Sequence, residues 1–199
     1  MILYLHGFRS SPQSFKARVM QARLAELGRL GEWRCPTLPV SPFDAVALAE
    51  SLAVGEKMAD VTVVGSSLGG YYATYLAQKH GWRAVLLNPA VMPDRDLSRY
   101  LGEQPLWHGD GSITVLPRHL DELRALAIDS ITRPERYYLI AATGDEVLDY
   151  RTMLDHYPGV RTTLIQGGDH AISDFPAYLA DVIAFCDQAP PPLITPATA

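Results

Sequence analysis

Four short segments carry residue types that can do nucleophilic chemistry: HGF at residues 6–8, GSSLG at 65–69, TGDE at 143–146 and GGDH at 167–170. The second matches G-x-S-x-G with Ser67 at its centre. That spacing suits a strand turning sharply into a helix, with the serine hydroxyl left exposed at the turn. Ser66 is the rival serine, but it does not occupy the central position. A serine hydroxyl is a poor nucleophile until a base accepts its proton. Of six histidines, His170 in GGDH is the candidate base. The base needs an acid to fix its tautomer and stabilise imidazolium. Asp145 is the candidate, with Glu146, Asp149 and the more distant Asp94 as rivals. Backbone N–H groups of Leu68 and Phe8 are the candidate oxyanion donors, because both follow directly on the segments that must meet.

These groups are far apart in sequence, so the elements that carry them must bring them together. Short apolar runs alternate with amphipathic ones. Six runs read as strands: ILYLHG, WRCPTL, DVTVVGSS, RAVLLNPA, RYYLIAATGDE and RTTLIQGGDH. Pro36 marks the second as an edge. Between them FKARVMQARLAEL reads as a helix with Phe15, Val19, Met20, Leu24 and Leu27 on one stripe. PFDAVALAESLAVGEKM (42–58), LGGYYATYLAQKHG, YRTMLDHY and FPAYLADVIAFCDQ also read as helices, the third of these five ending at Gly81. Strands alternating with helices predict an α/β class fold: a mostly parallel sheet of about six strands covered on both faces. Ligands bind at the carboxyl ends of such strands. All four chemical segments lie at strand ends.

Residues 91–134 break the rhythm and read as a small cap or elaborated loop with a helical piece, HLDELRALAI. Residues 1–188 form one domain in this reading, and the proline-rich 189–199 is expected to be a disordered tail. The glycines around Ser67 divide the work: Gly65 and Gly69 permit the turn, and Gly70 permits helix packing. His6 reads as a structural group bonded to the loop after the first strand. His80 reads as a helix C-terminal cap partner, and His108, His119 and His156 as surface or cap residues.

Composition sets the remaining bounds. The chain has 48% hydrophobic and 20% charged residues and a net charge of −5, which gives no electrostatic footprint for nucleic acid. Its two cysteines, Cys35 and Cys186, form no CxxC pair and read as buried small hydrophobes. Histidine and carboxylate spacing indicates no metal site, and the glycine-rich turn lacks the Lys-Ser or Lys-Thr of a phosphate-binding loop. No run reaches the roughly 20 apolar residues of a membrane span. No basic leader precedes the first apolar run, so a cytoplasmic location is expected.

LYLHGF, GSSLGG, NPA, TGDEVLDY and GGDH together resemble the α/β-hydrolase superfamily, and more narrowly the small YqiA-like esterases. The likeness runs from residue 2 to about residue 187. It implies a reduced α/β-hydrolase fold and a serine esterase without a cofactor, acting on small-molecule carboxylic esters, with Ser67 as nucleophile, Asp145 as acid and His170 as base. An acyl-CoA thioesterase or small peptidase would use the same triad, and a non-catalytic ligand-binding protein is the alternative of another class. Arg9, Tyr71, Tyr100, Leu101, Leu106 and Trp107 are the candidate pocket residues.

Overall fold

A computed structural model describes residues 1–107 and 109–188. The expected disorder of 189–199 and the surface reading of His108 lie outside the described residues. Six parallel strands form one sheet: β1 (Ile2–Leu5), β2 (Trp33–Arg34), β3 (Thr62–Ser66), β4 (Arg83–Leu87), β7 (Tyr137–Ala142) and β8 (Arg161–Ile165), in the order β2-β1-β3-β4-β7-β8. Two further strands, β5 (Gly102–Pro105) and β6 (Ser112–Val115), make a separate antiparallel hairpin within the 91–134 insertion.

β1, β3, β4 and β7 are buried along their whole length. Continuous Val, Ile and Leu are what a two-sided parallel sheet demands. Alternation then divides the core in two. Leu3, Leu5, Val63, Leu86 and Leu139 pack with helices α2 (Pro42–Leu52), α3 (Leu68–His80), α5 (Pro117–Ala125) and α6 (Tyr150–His156). Ile2, Tyr4, Val64, Val85 and Ile140 pack with α1 (Phe15–Glu26) and α7 (Leu179–Cys186). A short α4 (Pro93–Leu97) opens the insertion.

Several boundaries differ from the pattern reading. The buried stripe of α1 is Lys16, Ala17, Met20 and Leu24, while Phe15 and Leu27 are exposed. The small Ala17 lets the helix turn that face to the sheet and brings a lysine with it. α2 stops at Leu52, six residues short of the predicted end, because the chain then enters a left-handed conformation at Gly55. β2 keeps only two residues of its predicted run, at the sheet edge as Pro36 required. α3 ends at Gly81 with φ 71°, as its capping role predicts.

The chain builds outward from β1 to β2, then returns to β3 on the other side. That reversal opens a crevice at the carboxyl ends of β1 and β3. HGF leaves one strand and GSSLG the other.

Candidate active site

Ser67 follows β3 directly and precedes α3, with φ 54° and ψ −120°. A non-glycine residue there carries about 1–3 kcal/mol of strain and persists only when its surroundings hold it. They do so through the backbone. Ser67 N–H donates to the Leu87 carbonyl at 3.0 Å, and its own carbonyl accepts from Gly70 at 2.9 Å and Ala90 at 3.0 Å. The turn also excludes side chains. A Cβ at Gly65 would lie 2.2 Å from the Gly69 carbonyl oxygen, which fits its predicted part in the turn. A Cβ on Gly69 would lie 2.0 Å from the Leu5 carbonyl oxygen, so its task is the close approach of α3 to β1. Gly70 makes room for Pro89, just beyond β4. Gly7 of HGF abuts Ser67 itself: a Cβ there would be 3.2 Å from the serine Cβ.

The Ser67 hydroxyl donates to His170 Nε2 at 3.0 Å, and His170 Nδ1–H donates to Asp145 Oδ2 at 2.7 Å. With Nδ1 donating to a carboxylate, Nε2 is the free acceptor. The Asp145 side chain is fully buried, and its other oxygen accepts N–H bonds from Val147 and Leu148, each at 2.8 Å. Both carboxylate oxygens are therefore satisfied, and the imidazole ring has one orientation to adopt.

The rivals are occupied elsewhere. Ser66 is buried beside the Tyr4 hydroxyl. Glu146 accepts the His170 backbone N–H at 3.0 Å, Asp149 caps α6 through Arg151 N–H, and Asp94 pairs with Arg124. His6 is structural as expected: Nδ1–H donates to the Gly7 carbonyl at 3.0 Å and Nε2 accepts from Leu38 N–H at 3.1 Å. Two other histidines differ from expectation. His80 does not cap its own helix but reaches Glu50 on α2 and stacks on Trp82. His119 is buried, and its Nδ1 accepts from Leu116 N–H at the start of α5. Burial pushes its imidazole below the ordinary histidine range.

A cleft of about 260 Å³ opens over Ser67 and His170. Phe8, Arg9, Leu68, Tyr100 and Trp107 line it, as does Leu148. Three expected pocket residues fall outside it. Tyr71 lies one helical turn beyond Leu68, buried, with its hydroxyl donating to the Leu123 carbonyl at 2.6 Å. Leu106 lines a smaller adjoining cavity with His6 and Leu38. Leu101 is an exposed residue of the insertion. Arg9 is no free loop cation: with φ 60°, it donates to the Pro105 carbonyl and its guanidinium lies 4.1 Å over the Trp107 ring. Trp107 N–H also donates to the Arg9 carbonyl at 2.9 Å. The β5–β6 hairpin is thus tied to the loop that carries Phe8. A larger open depression, about 550 Å³, lies along residues 143–151 and touches neither Ser67 nor His170.

Pattern reading missed three groups that fix the histidine loop. Asn88, fully buried at the end of β4 with φ 42°, donates from Nδ2 to the Asp169 and His170 carbonyls and accepts Ala142 N–H at 2.8 Å. Lys16 Nζ donates to the Ala171 carbonyl at 2.6 Å. Burial pushes this ammonium down to about 8, while Asp169 and Asp145 partly hold it up. Gly144 passes so close to the Gly168 carbonyl oxygen that a Cβ would sit 2.4 Å away. The only signal for Asn88 was its place in NPA after a strand.

Cys35 is half-buried and Cys186 buried, and desolvation pushes both thiols up to about 12. Among the described residues, no helix is long and apolar enough to cross a membrane.

Several solved structures are similar in shape. One comes from work on LipS and LipT, two metagenome-derived lipolytic enzymes: 19% identity, covering 93% of this chain and 92% of that one, TM-score 0.67. Est1E from Butyrivibrio proteoclasticus with ferulic acid bound matches at 13% identity over 92% and 87%, TM-score 0.64. Mouse alpha/beta hydrolase domain-containing protein 10 matches at 17% identity over 92% and 89%, TM-score 0.62. At these identities the likeness establishes the fold, which is that of the α/β-hydrolases. A family model spanning residues 1–187 carries the match from fold to kinship: the chain belongs to the uncharacterised protein family UPF0227.

Proposed function

We propose that this chain is a serine hydrolase that cleaves carboxylic esters through an acyl-enzyme on Ser67. The observation that carries this reading is the unbroken relay from Ser67 through His170 to the buried Asp145. Ser67 Oγ attacks the acyl carbon while its proton passes to His170 Nε2. Asp145 remains a carboxylate and stabilises the imidazolium through Nδ1–H. Negative charge gathers on the former carbonyl oxygen. The Leu68 N–H is suited to receive it, because the first N–H groups of a helix have no intrahelical acceptor and lie at its positive end. Phe8 N–H is the second donor. The carbon–oxygen bond to the alcohol then breaks, and His170 returns its proton to the leaving oxygen. Water repeats the sequence on the acyl-enzyme and regenerates Ser67.

The test is covalent labelling. A fluorophosphonate should modify wild-type protein at Ser67 and leave Ser67→Ala unmodified. Folded wild-type protein that neither labels nor hydrolyses p-nitrophenyl esters from acetate to palmitate would overturn the reading and favour a binding protein. Acyl-CoA substrates run beside that panel separate ester from thioester preference.

A further inference from the structure

One carboxylate in the cleft has no task in the chemistry above. Asp96, on α4, lines the cleft over Ser67 and His170. It also lines an adjoining cavity of about 160 Å³, and the two spaces share Asp96, Val147 and Leu148 along their common wall. Asp96 thus borders both spaces, within reach of a substrate arm that extends from the first toward the second.

Its surroundings leave this carboxylate open to a ligand. Asp94, two residues earlier, is paired with Arg124. Arg9 is engaged with the Pro105 carbonyl and Trp107. Arg99 lies 5.1 Å over the Tyr100 ring. Among the described residues, no cation lies within ion-pair distance of the Asp96 carboxylate, and no N–H or O–H donates to it. Burial raises its pKa, the Arg99 charge partly offsets this, and Asp94 adds to it. The charged form is thus short of partners, in a cleft whose lining includes Phe8, Leu97 and Tyr100 together with Arg9 and Arg99. Among the described residues, Asp96 is the one acidic side chain lining the cleft, beside two arginines that stack on Trp107 and Tyr100, and a few placed polar groups are how a small-molecule site fixes orientation.

We propose that Asp96 is a specificity determinant for esters whose distal arm carries a hydroxyl or ammonium group, which the carboxylate receives at the junction of the two cavities. This inference rests on the serine-hydrolase reading of Ser67. The acyl group and the reacting carbon occupy the space at Ser67, and the arm with the donor or positive charge reaches along the Val147–Leu148 wall. A plain alkyl arm fills the same space but leaves the carboxylate unanswered. Sites built around a polar partner discriminate strongly against analogues that lack it.

The experiment compares isosteric pairs with wild-type protein and Asp96→Asn. 1-Monobutyrin is set against 2-methylbutyl butyrate to probe the hydroxyl, and butyrylcholine against 3,3-dimethylbutyl butyrate to probe the cation. Wild-type kcat/KM should favour the polar member of at least one pair by about tenfold or more. Asp96→Asn should collapse the cationic preference, and Asp96→Glu should restore part of whichever preference is present. A wild-type protein without preference in either pair overturns the proposal, as does a cationic preference that Asp96→Asn leaves intact or a hydroxyl preference that Asp96→Leu, which has no acceptor, leaves intact. Fluorophosphonate labelling is run on both proteins. Labelled protein without selectivity sinks only the role of Asp96, whereas unlabelled wild type sinks the hydrolase reading beneath it.

Discussion

The two walls of the cleft are built on different principles. One is the strand-end wall of Ser67, Asn88, Asp145 and His170. Gly65, Gly69, Gly70 and Gly144 leave no room there for a Cβ, and the Asn88, Asp145 and His170 side chains each make two or more hydrogen bonds. The other is the insertion from α4 through the β5–β6 hairpin. Three of the four residues of β5 are exposed, and Trp107 at the hairpin is 66% exposed. It is tied to the first wall chiefly through Arg9. The first wall fixes geometry to fractions of an ångström, as reacting groups require. In the proposed reading the second meets the remainder of the substrate, and chemistry and selectivity are housed in separate parts of one cleft.

The comparison is tested hardest at Ser67. Ser67→Ala should lower turnover by about a million-fold if the relay acts as a unit. Because the hydroxyl makes one bond, to His170, melting should change little. Residual hydrolysis near wild type would place the chemistry elsewhere. Next in size are the glycines. Gly69→Ala drives a Cβ into the Leu5 backbone and should destabilise by about 3 kcal/mol or more. Gly102→Ala, in the insertion, has open space around it and only its φ of 93° to strain, so about 1 kcal/mol is expected. Equal costs in denaturant titrations would erase the distinction between the walls.

Lys16 gives a subtler test. Its ammonium titrates near 8 in the fold against 10.5 in the free side chain. Between those values the unfolded chain binds the extra proton, so this group makes stability rise with pH, by at most about 1.4 kcal/mol per pH unit. Below 8 both states are protonated and the full cost of burying the charge is present. Cys35 and Cys186, raised to about 12, act in the opposite direction over part of the same range. The difference between wild type and Lys16→Met therefore isolates the lysine. The variant's stability advantage should shrink from pH 8 to 10.5, and a constant difference would contradict the buried charge.

The strand-end wall was legible because its constraints are local. Valine- and leucine-rich runs broken by glycine announce buried parallel strands, and GSSLG, TGDE and GGDH each place a serine, aspartate or histidine one to five residues beyond a strand end. What escaped was non-local. Lys16 finds its acceptor 155 residues away, and on a helix such a residue reads as solvated. Tyr71 looked like a pocket residue from its nearness to Ser67, but three residues of helix carry it a turn deeper and onto Leu123. The β5–β6 hairpin escaped because GEQP and SITV are short and mostly exposed, and GEQP has no apolar alternation to pair with that of SITV.

Trp107 is where the two walls can be uncoupled with the least disturbance. Its ring is mostly exposed, so removing it takes little apolar area out of the core. The Arg9 guanidinium loses its stacking face, a contact of about 0.5–1 kcal/mol at an exposed site. The backbone bond from residue 107 to the Arg9 carbonyl survives substitution, so the hairpin stays attached. Trp107→Ala should therefore leave stability within about 1 kcal/mol of the parent. Fluorophosphonate labelling should persist, because Ser67, His170 and Asp145 are untouched. KM for long-chain p-nitrophenyl esters should rise by up to about tenfold, with kcat changing less, as expected when uniform binding is removed. A fall in kcat with KM unchanged would mean that the hairpin acts through Arg9 on the Phe8 loop, and that the two walls are one machine.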